Sequence, residues 1–404
     1  MEEPIFKYKK SKYNLDIVYP NKYYGGLYNL GILIIYNLVN QRKDWNCNRV
    51  FLDKNEISSD LVGFSLQYEL DLKNVLEMKK KCNGLCFAGG PVVNMNPEKF
   101  RKYFDFLILG EVEGVLDKVL DEYEKGDGFL ERISKLKGVY VDKISYNFNK
   151  ELIEYPYVQP FPEKISKDFV FGKCFMLEIE RGCPFQCKFC VLPGFFPKVR
   201  YRKNWKEIID RGLELNKRDR VVIYSASFTH PERKEILKYL LTKNVRVSVP
   251  SIKVGVVDKE TISLIKKLGQ KSITIAPEAN EKLRFSMGKM VSDNQYRDFV
   301  EECNEVGIEK LKLYMIIGVP GMEERDIIEM REFVDSLKFK GRIYVSVNYF
   351  VPKPKSDFED FEFDNKELKK QAKIVEREFK KYKVKLTGLN SSYLEWKISR
   401  TGSL

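Results

Sequence analysis

The stretch RGCPFQCKFC, residues 181–190, follows directly on an apolar run, CFMLEIE, at residues 174–180. It gathers three of the chain's eight cysteines, Cys183, Cys187 and Cys190, at Cys-x3-Cys-x2-Cys spacing. Three soft thiols on one tight loop suit zinc or an iron–sulfur cluster. Structural zinc takes four protein ligands. No fourth is near, because the single histidine, His230, falls in a later loop and reads as a polar loop residue. Three thiolates on a four-iron cluster leave one iron open to bind and activate a small molecule.

The chain around this stretch alternates strand and helix. Strands are expected at residues 174–180, 220–226, 245–250, 271–277, 311–317 and 342–350, with amphipathic helices between them, as at 205–215 and 325–337. Six such units are two short of a full (β/α)8 barrel. The loop after a barrel strand is where that architecture places catalytic groups, so the cysteines stand where a site belongs. Further on, the pattern predicts a charged helix over 368–382, a strand KVKLTG, and a short last helix.

Upstream, strands are expected at 15–20, 48–53, 60–66, 84–90 and 104–111, with helices at 27–39, 71–80, from 97 onward, and ending near 123. Apolar strands separated by helices predict a doubly wound parallel sheet covered on both faces. Gly25, Gly26, Gly63, Gly89, Gly90 and Gly110 fall at the expected C-terminal ends of these strands, the edge where such sheets bind ligands. Asn29, Ser65 and Gln67 line the same edge in this reading. Residues 126–172, with GVYVD and the proline-containing YPYVQPFPEK, read as a linker. The expected domains are 1–125, a linker at 126–172, the partial barrel at 173–350, and a C-terminal extension at 351–404 that closes the barrel.

Composition bounds the class. The chain has 404 residues, 43% hydrophobic and 32% charged, as in a globular protein. Its longest apolar runs are too short to span a bilayer, and residues 1–14 lack the apolar centre of a signal peptide, so the cytoplasm is expected. The net charge of +13 leaves a nucleic-acid partner open without favouring one, since the lysines are spread along the whole chain. Abundant Lys, Glu and Ile fit a thermophile of archaeal type. Cys47, Cys82, Cys86, Cys174 and Cys303 lie in or beside apolar segments and read as small core residues.

With its place after a barrel strand, CPFQCKFC resembles the cluster motif of the radical S-adenosylmethionine superfamily, Phe189 being the aromatic residue of that motif. The resemblance implies a partial (β/α)6 barrel, a 4Fe–4S cluster held by Cys183, Cys187 and Cys190, and S-adenosylmethionine chelating the fourth iron. It also implies one-electron cleavage to methionine and a 5′-deoxyadenosyl radical, with an electron donor such as ferredoxin or flavodoxin. Other segments are similar to family motifs. SITIAPEANEKLR places Glu278 near S-adenosylmethionine, and LYMIIGVPGM places Gly318 at the turn that packs on adenine. PSIKV brings Ser251 and Lys253, with lysine where the family usually has arginine, and NYFVPKPKSDFE resembles the family's VPKP loop. The family's Gly-Gly-Glu triplet is absent. SASFTHPE stands in its place, with Ser225 and Ser227 as contacts to substrate or cofactor.

A doubly wound domain before such a barrel resembles the cobalamin-binding subfamily. That implies cobalamin at the glycine-lined edge and methylation of an unactivated carbon on a protein side chain or cofactor precursor. The Asp-x-His-x-x-Gly motif of many cobalamin proteins is missing, which leaves open a retained fold without the cofactor. Two alternatives stay open. A methylthiotransferase would bind a second cluster through Cys47, Cys82 and Cys86, although Cys47 is expected to precede a strand. A non-catalytic iron–sulfur or zinc protein would use the triplet alone.

Overall fold

The computed structural model describes residues 9–145, 148–154, 159–160, 172–216 and 219–404. Most of YPYVQPFPEK lies outside them. The chain divides into two compact units, Met1–Lys173 together with Lys397–Leu404, and Cys174–Trp396. Among the described residues no helix is long and apolar enough to cross a membrane.

The first unit is built on six strands: β1 (Tyr13–Val18), β2 (Trp45–Val50), β3 (Leu61–Ser65), β4 (Leu85–Gly89), β5 (Phe106–Ile108) and β6 (Val139–Val141). Their order is β2-β1-β3-β4-β5-β6, parallel except for the last pair. This is a doubly wound sheet of flavodoxin-like order, with its switch point between β1 and β3. Every residue of β3 is buried, and Leu15, Ile17, Trp45, Phe87 and Phe106 belong to the core.

Local chemistry sets the element ends. The helix Leu30–Gln41 begins later than its periodicity predicts, because the Asn29 side chain caps it by accepting from Ile32 N at 3.0 Å. β2 begins earlier than expected and contains Cys47 rather than following it. Its polar residues hid it. Asn46 is bonded to Ser11 Oγ at 2.6 Å and Asn48 to Asp16 Oδ1 at 3.1 Å, so both sit in the sheet without cost.

The expected linker is partly structural. β6 pairs with β5, and Glu151 lies alongside the end of β5 in a parallel bridge to Gly110, with Glu111 N on Glu151 O at 2.8 Å and Glu151 N on Leu109 O at 3.0 Å. Gly110 makes this possible, with φ +91° and the space of its missing Cβ 1.9 Å from Glu151 O. Gly110→Ala should therefore destabilise the first unit by about 3 kcal/mol, because backbone cannot yield as a side chain would. A lowered urea midpoint with unchanged slope is the expected result. The C-terminal extension is also divided: Tyr103 Oη donates to Gly402 O at 2.7 Å, and residues 397–404 belong to the first unit.

The second unit contains β7 (Phe175–Glu178), β8 (Glu180–Arg181), β9 (Arg200–Tyr201), β10 (Arg220–Tyr224), β11 (Arg246–Ser248), β12 (Ser272–Glu278), β13 (Lys310–Ile317), β14 (Arg342–Tyr349) and β15 (Lys383–Leu386). Parallel runs β7-β10-β11 and β12-β13-β14-β15 meet through one parallel bridge, Ile252 to Ile275, with Ile252 N on Thr274 O at 2.8 Å. Strand order follows chain order, as in a partial (β/α) barrel, with β15 added as a seventh parallel strand. The expected first strand breaks at Ile179, and Glu180–Arg181 turns aside to pair with β9 in a short antiparallel ladder.

Candidate active site

The cysteine loop leaves β8 through Gly182, whose φ of +88° reverses the chain. Cys183, Cys187 and Cys190 are half-buried, and Cys190 N closes a turn on Cys187 O at 2.9 Å. Two other loops fix the turn at Lys188. Its N–H donates to Met287 O at 2.9 Å, and its carbonyl accepts from Asp357 N at 3.0 Å. The segment after β14, which carries VPKP, thus braces the cysteine loop.

Burial pushes the Cys187 and Cys190 thiols up, and the Lys253 and Lys289 ammoniums oppose this at Cys187. Burial also lowers Lys253 to about 8, against the pull of Cys187, Cys183 and Glu278. Lys253 sits over the Phe185 ring, 2.9 Å from its centre. Ser251 and Lys253 flank the Ile252 bridge, so the seam between the two strand runs delivers Lys253 beside the cysteines. Among the described residues no three His, Cys, Asp or Glu side chains converge as for a single metal ion. A four-iron cluster instead takes each thiolate on a separate iron, which three half-buried thiols on one loop suit.

Glu278 ends β12 after a register shift, at φ +67°. A side chain in the left-handed region is strained and persists only where its surroundings enforce it. Here Lys289 Nζ holds Glu278 Oε1 at 2.7 Å. The fully buried Arg284 donates to Pro277 O, Ala279 O, Val291 O and Asp293 Oδ1, fixing the turn on both sides. Phe189 is half-buried in the cysteine loop. Gly318 follows β13 at φ +81°, and its missing Cβ leaves room for Leu368, 2.2 Å away. Packing of the helix Asn365–Glu378 is thus one reason for glycine there.

Ser225 and Ser227 differ from expectation. Both hydroxyls donate to buried Glu180 Oε1, at 2.5 and 3.1 Å, so neither hydroxyl proton is spare for a ligand. Thr229 gives the same carboxylate its N–H and its hydroxyl, at 2.9 and 3.1 Å to Oε2. The loop replacing the Gly-Gly-Glu triplet is wound around Glu180, with Phe228 held at φ +54°. Sequence reasoning missed Glu180. The one available signal was a pair of acidic residues, Glu178 and Glu180, in an otherwise apolar stretch. His230 is structural: Nδ1 accepts from Glu232 N at 3.1 Å, so Nε2 carries the proton for Arg202 O at 3.0 Å.

The glycine edge of the first unit is mostly committed to packing. Gly63 lies two residues inside β3 under the Phe87 ring, not at the strand end. Gly26 makes room for Phe51, Gly90 at φ +98° for Leu66 O, and Gly89 faces Ile108 O. Gly25 faces open space. Ser65 ends β3 and accepts from Gln67 Nε2 at 2.8 Å. Asn29 is the helix cap. Cys47 and Cys86 are buried, whereas Cys82 is half-buried with its thiol against that of Cys86.

Comparison with known proteins agrees with this geometry. The Radical SAM superfamily pattern matches residues 177–334, and the pattern for the N-terminal part of radical SAM proteins matches 53–142. The uncharacterized protein MJ0966 of Methanocaldococcus jannaschii is 31% identical over 386 residues, covering 91% of this chain and 84% of that one. This chain belongs to the radical S-adenosylmethionine superfamily. The superfamily is enzymatic, and the radical SAM domain implies S-adenosylmethionine and a 4Fe–4S cluster. The radical SAM chain is also 23% identical over 355 residues to the putative methylthiotransferase MJ0865 of the same organism, covering 81% of this chain and 76% of that one. Its fold matches the radical S-adenosylmethionine methyltransferase TsrM from Kitasatospora setae, solved with cobalamin and a [4Fe–4S] cluster, at TM-score 0.63 and 13% identity, covering 83% and 72% of the two chains.

Proposed function

We propose that this chain is a cobalamin-dependent radical S-adenosylmethionine methyltransferase acting on an unactivated carbon of a protein side chain or a cofactor precursor. The observation that carries the reading is the three-thiol loop after β8 with Lys253 and Glu278 beside it, in a chain whose first unit is a flavodoxin-like sheet. When bound, the cluster with S-adenosylmethionine supplies one-electron cleavage to a hydrogen-abstracting radical, and the corrinoid supplies the methyl group.

The chain's own residues have definable tasks. Cys183, Cys187 and Cys190 would hold three irons. Lys253 brings positive charge to the thiolates and to an incoming carboxylate. Among the described residues Glu278 Oε2 takes no donor, which leaves that oxygen for a hydroxyl or amino group of the ligand.

The edge of the first unit suits a broad, flat ligand. Tyr24, Leu52 and Tyr68 are 52%, 44% and 40% exposed on the segments after β1, β2 and β3, which are neighbours in the sheet. Ser65, Gln67 and Asn29 add polar groups for amide side chains. The one histidine is occupied at both nitrogens, so a corrinoid would be held through its ring and periphery.

The MJ0865 relative favours a second reading, methylthiotransfer, in which the first unit would hold a second cluster. Register argues against it: Cys47 pairs across from Leu15, whereas Cys86 shares a row with Val62 and Asp16. Adjacent rows project from opposite faces of a sheet, so Cys47 and Cys86 do not meet. Anaerobic reconstitution with iron, sulfide and hydroxocobalamin tests both. About four irons and one tightly held cobalt per chain are expected. Four irons without cobalt would end the methyl-transfer reading, and about eight irons would replace it with methylthiotransfer.

A further inference from the structure

We propose that the inner face of the run β13-β14-β15 binds a small-molecule substrate carrying two or more carboxylate or phosphate groups. This rests on the radical S-adenosylmethionine reading, and it narrows the substrate from a protein side chain or a cofactor precursor to the second. Side chains alternate across a strand, so burial separates the two faces of β13. Leu311, Leu313, Met315 and Ile317 are fully buried, which marks the outer face that helices cover in a (β/α) barrel. Lys312, Tyr314 and Ile316 project from the opposite, inner face and are only partly buried.

Register carries the inner face across the neighbouring strands. Lys312 pairs with Tyr344 and Tyr344 with Lys383, while Tyr314 pairs with Ser346 and Ser346 with Lys385. Lys310 and Arg342 form the row below. Five cations thus share one face, and none has a carboxylate partner among the described residues. The β12 residues in these rows are Ser272 and Thr274. Acidic groups near the strand starts are already committed: Glu309 pairs with Lys271, and Asp335 with Arg331 and Lys381. Asp357, Glu359, Asp360 and Glu362 follow the far end of β14, where Asp357 N reaches the cysteine loop at Lys188 O.

Edge protection accounts for lysines on β15, the last strand of the run, but not for Lys312, two strands inside it. Lys312 Nζ donates to Tyr314 Oη at 3.1 Å, which holds the ammonium against the inner face. Above it, Ser346 is 8% exposed and Asn348 is partly buried, and among the described residues neither side chain makes a hydrogen bond. Buried polar groups are ordinarily paired, so the two are open to a ligand. Unpaired ammoniums lining one concave face draw anions into it, and each bonds a carboxylate or phosphate oxygen as a point charge. Glu278 pairs across from Met315, three residues along β13 from Lys312, so the Lys312 row lies roughly 10 Å below it. A substrate anchored there by its anionic groups would extend its reacting carbon upward by about that length.

The test is anaerobic titration calorimetry of the reconstituted full-length protein with citrate and with tripolyphosphate as probes. Binding at one site per chain is expected. Lys312→Gln should weaken it about tenfold, and Lys385→Gln by a similar factor. Lys118→Gln makes the same charge change on an exposed helix of the first unit and should leave it unchanged. Tighter citrate would assign carboxylates, and tighter tripolyphosphate would assign phosphates. Loss of binding in Lys118→Gln equal to that in Lys312→Gln would reduce the effect to net charge and overturn the proposal. So would the absence of binding by either probe at millimolar concentration, which would return the substrate to a protein side chain. Cleavage of S-adenosylmethionine by the same wild-type preparation separates the two readings. Cleavage without probe binding sinks the polyanion assignment alone, whereas no cleavage removes the radical reading and the substrate assignment with it.

Discussion

Cys187→Ala protein, reconstituted anaerobically, should fail to retain a four-iron cluster and should cleave S-adenosylmethionine more than about 100-fold more slowly than the wild type. That bound is the upper end of what altering a supporting residue around a metal costs, and removing a ligand costs more. The fold should survive, because Cys187 is half-buried and its loop is held by backbone bonds at Lys188. Unchanged far-ultraviolet dichroism together with lost iron is the expected pair of readings. A wild-type iron count in this variant would remove Cys187 from the ligand set.

The same thiols give cluster loading a pH dependence of known sign. Burial raises Cys187 and Cys190, so at neutral pH both favour the protonated form more than an exposed thiol does. Iron binds the thiolate and must displace those protons. Loading should therefore strengthen as pH rises toward and beyond the ordinary cysteine value of about 8.5, and weaken as pH falls. Iron retention after desalting, measured across that range, checks the direction.

Glu180→Leu should strongly destabilise the second unit. It leaves Thr229 N–H and the hydroxyls of Ser225, Ser227 and Thr229 facing an apolar side chain in a buried place. Each buried donor left unpaired costs about 1–3 kcal/mol. Some hydroxyls can turn away, so a total of about 4 kcal/mol is expected. For a unit of this size that lowers the melting temperature by roughly 10 °C. Glu180→Gln should cost less, because its amide oxygen still accepts. Equal melting temperatures for the leucine variant and the wild type would mean that the Ser225–Thr229 loop is held by something other than this carboxylate.

The readable part of the site was the part written in local order. Cys183, Cys187 and Cys190 lie within eight positions on one loop, so their spacing alone brings them together. Lys253 and Glu278 were singled out through resemblance, and the β12 bulge and the Ile252 bridge, which set their backbone positions, were not legible. The partner of Ser225 was not legible, for a physical reason. A hydroxyl in a loop at a strand end looks free in sequence, and its partner lies 45 positions earlier. Gly63 and Gly110 were read as making room for a ligand, but each makes room for the protein's own Phe87 or Glu151.

By itself the sequence determined two α/β units in tandem, their parallel strands and the three-thiol loop. These follow from hydrophobic period, turn residues and ligand spacing, all of which act over a few positions. Tertiary structure alone decided that β6 closes the first sheet, that β15 extends the barrel run, that residues 397–404 pack with the first unit, and that the triplet's replacement winds around Glu180. Each of these is a pairing between distant segments. Such a pairing is fixed by which buried donor finds which acceptor once the chain has closed, and no local pattern records it.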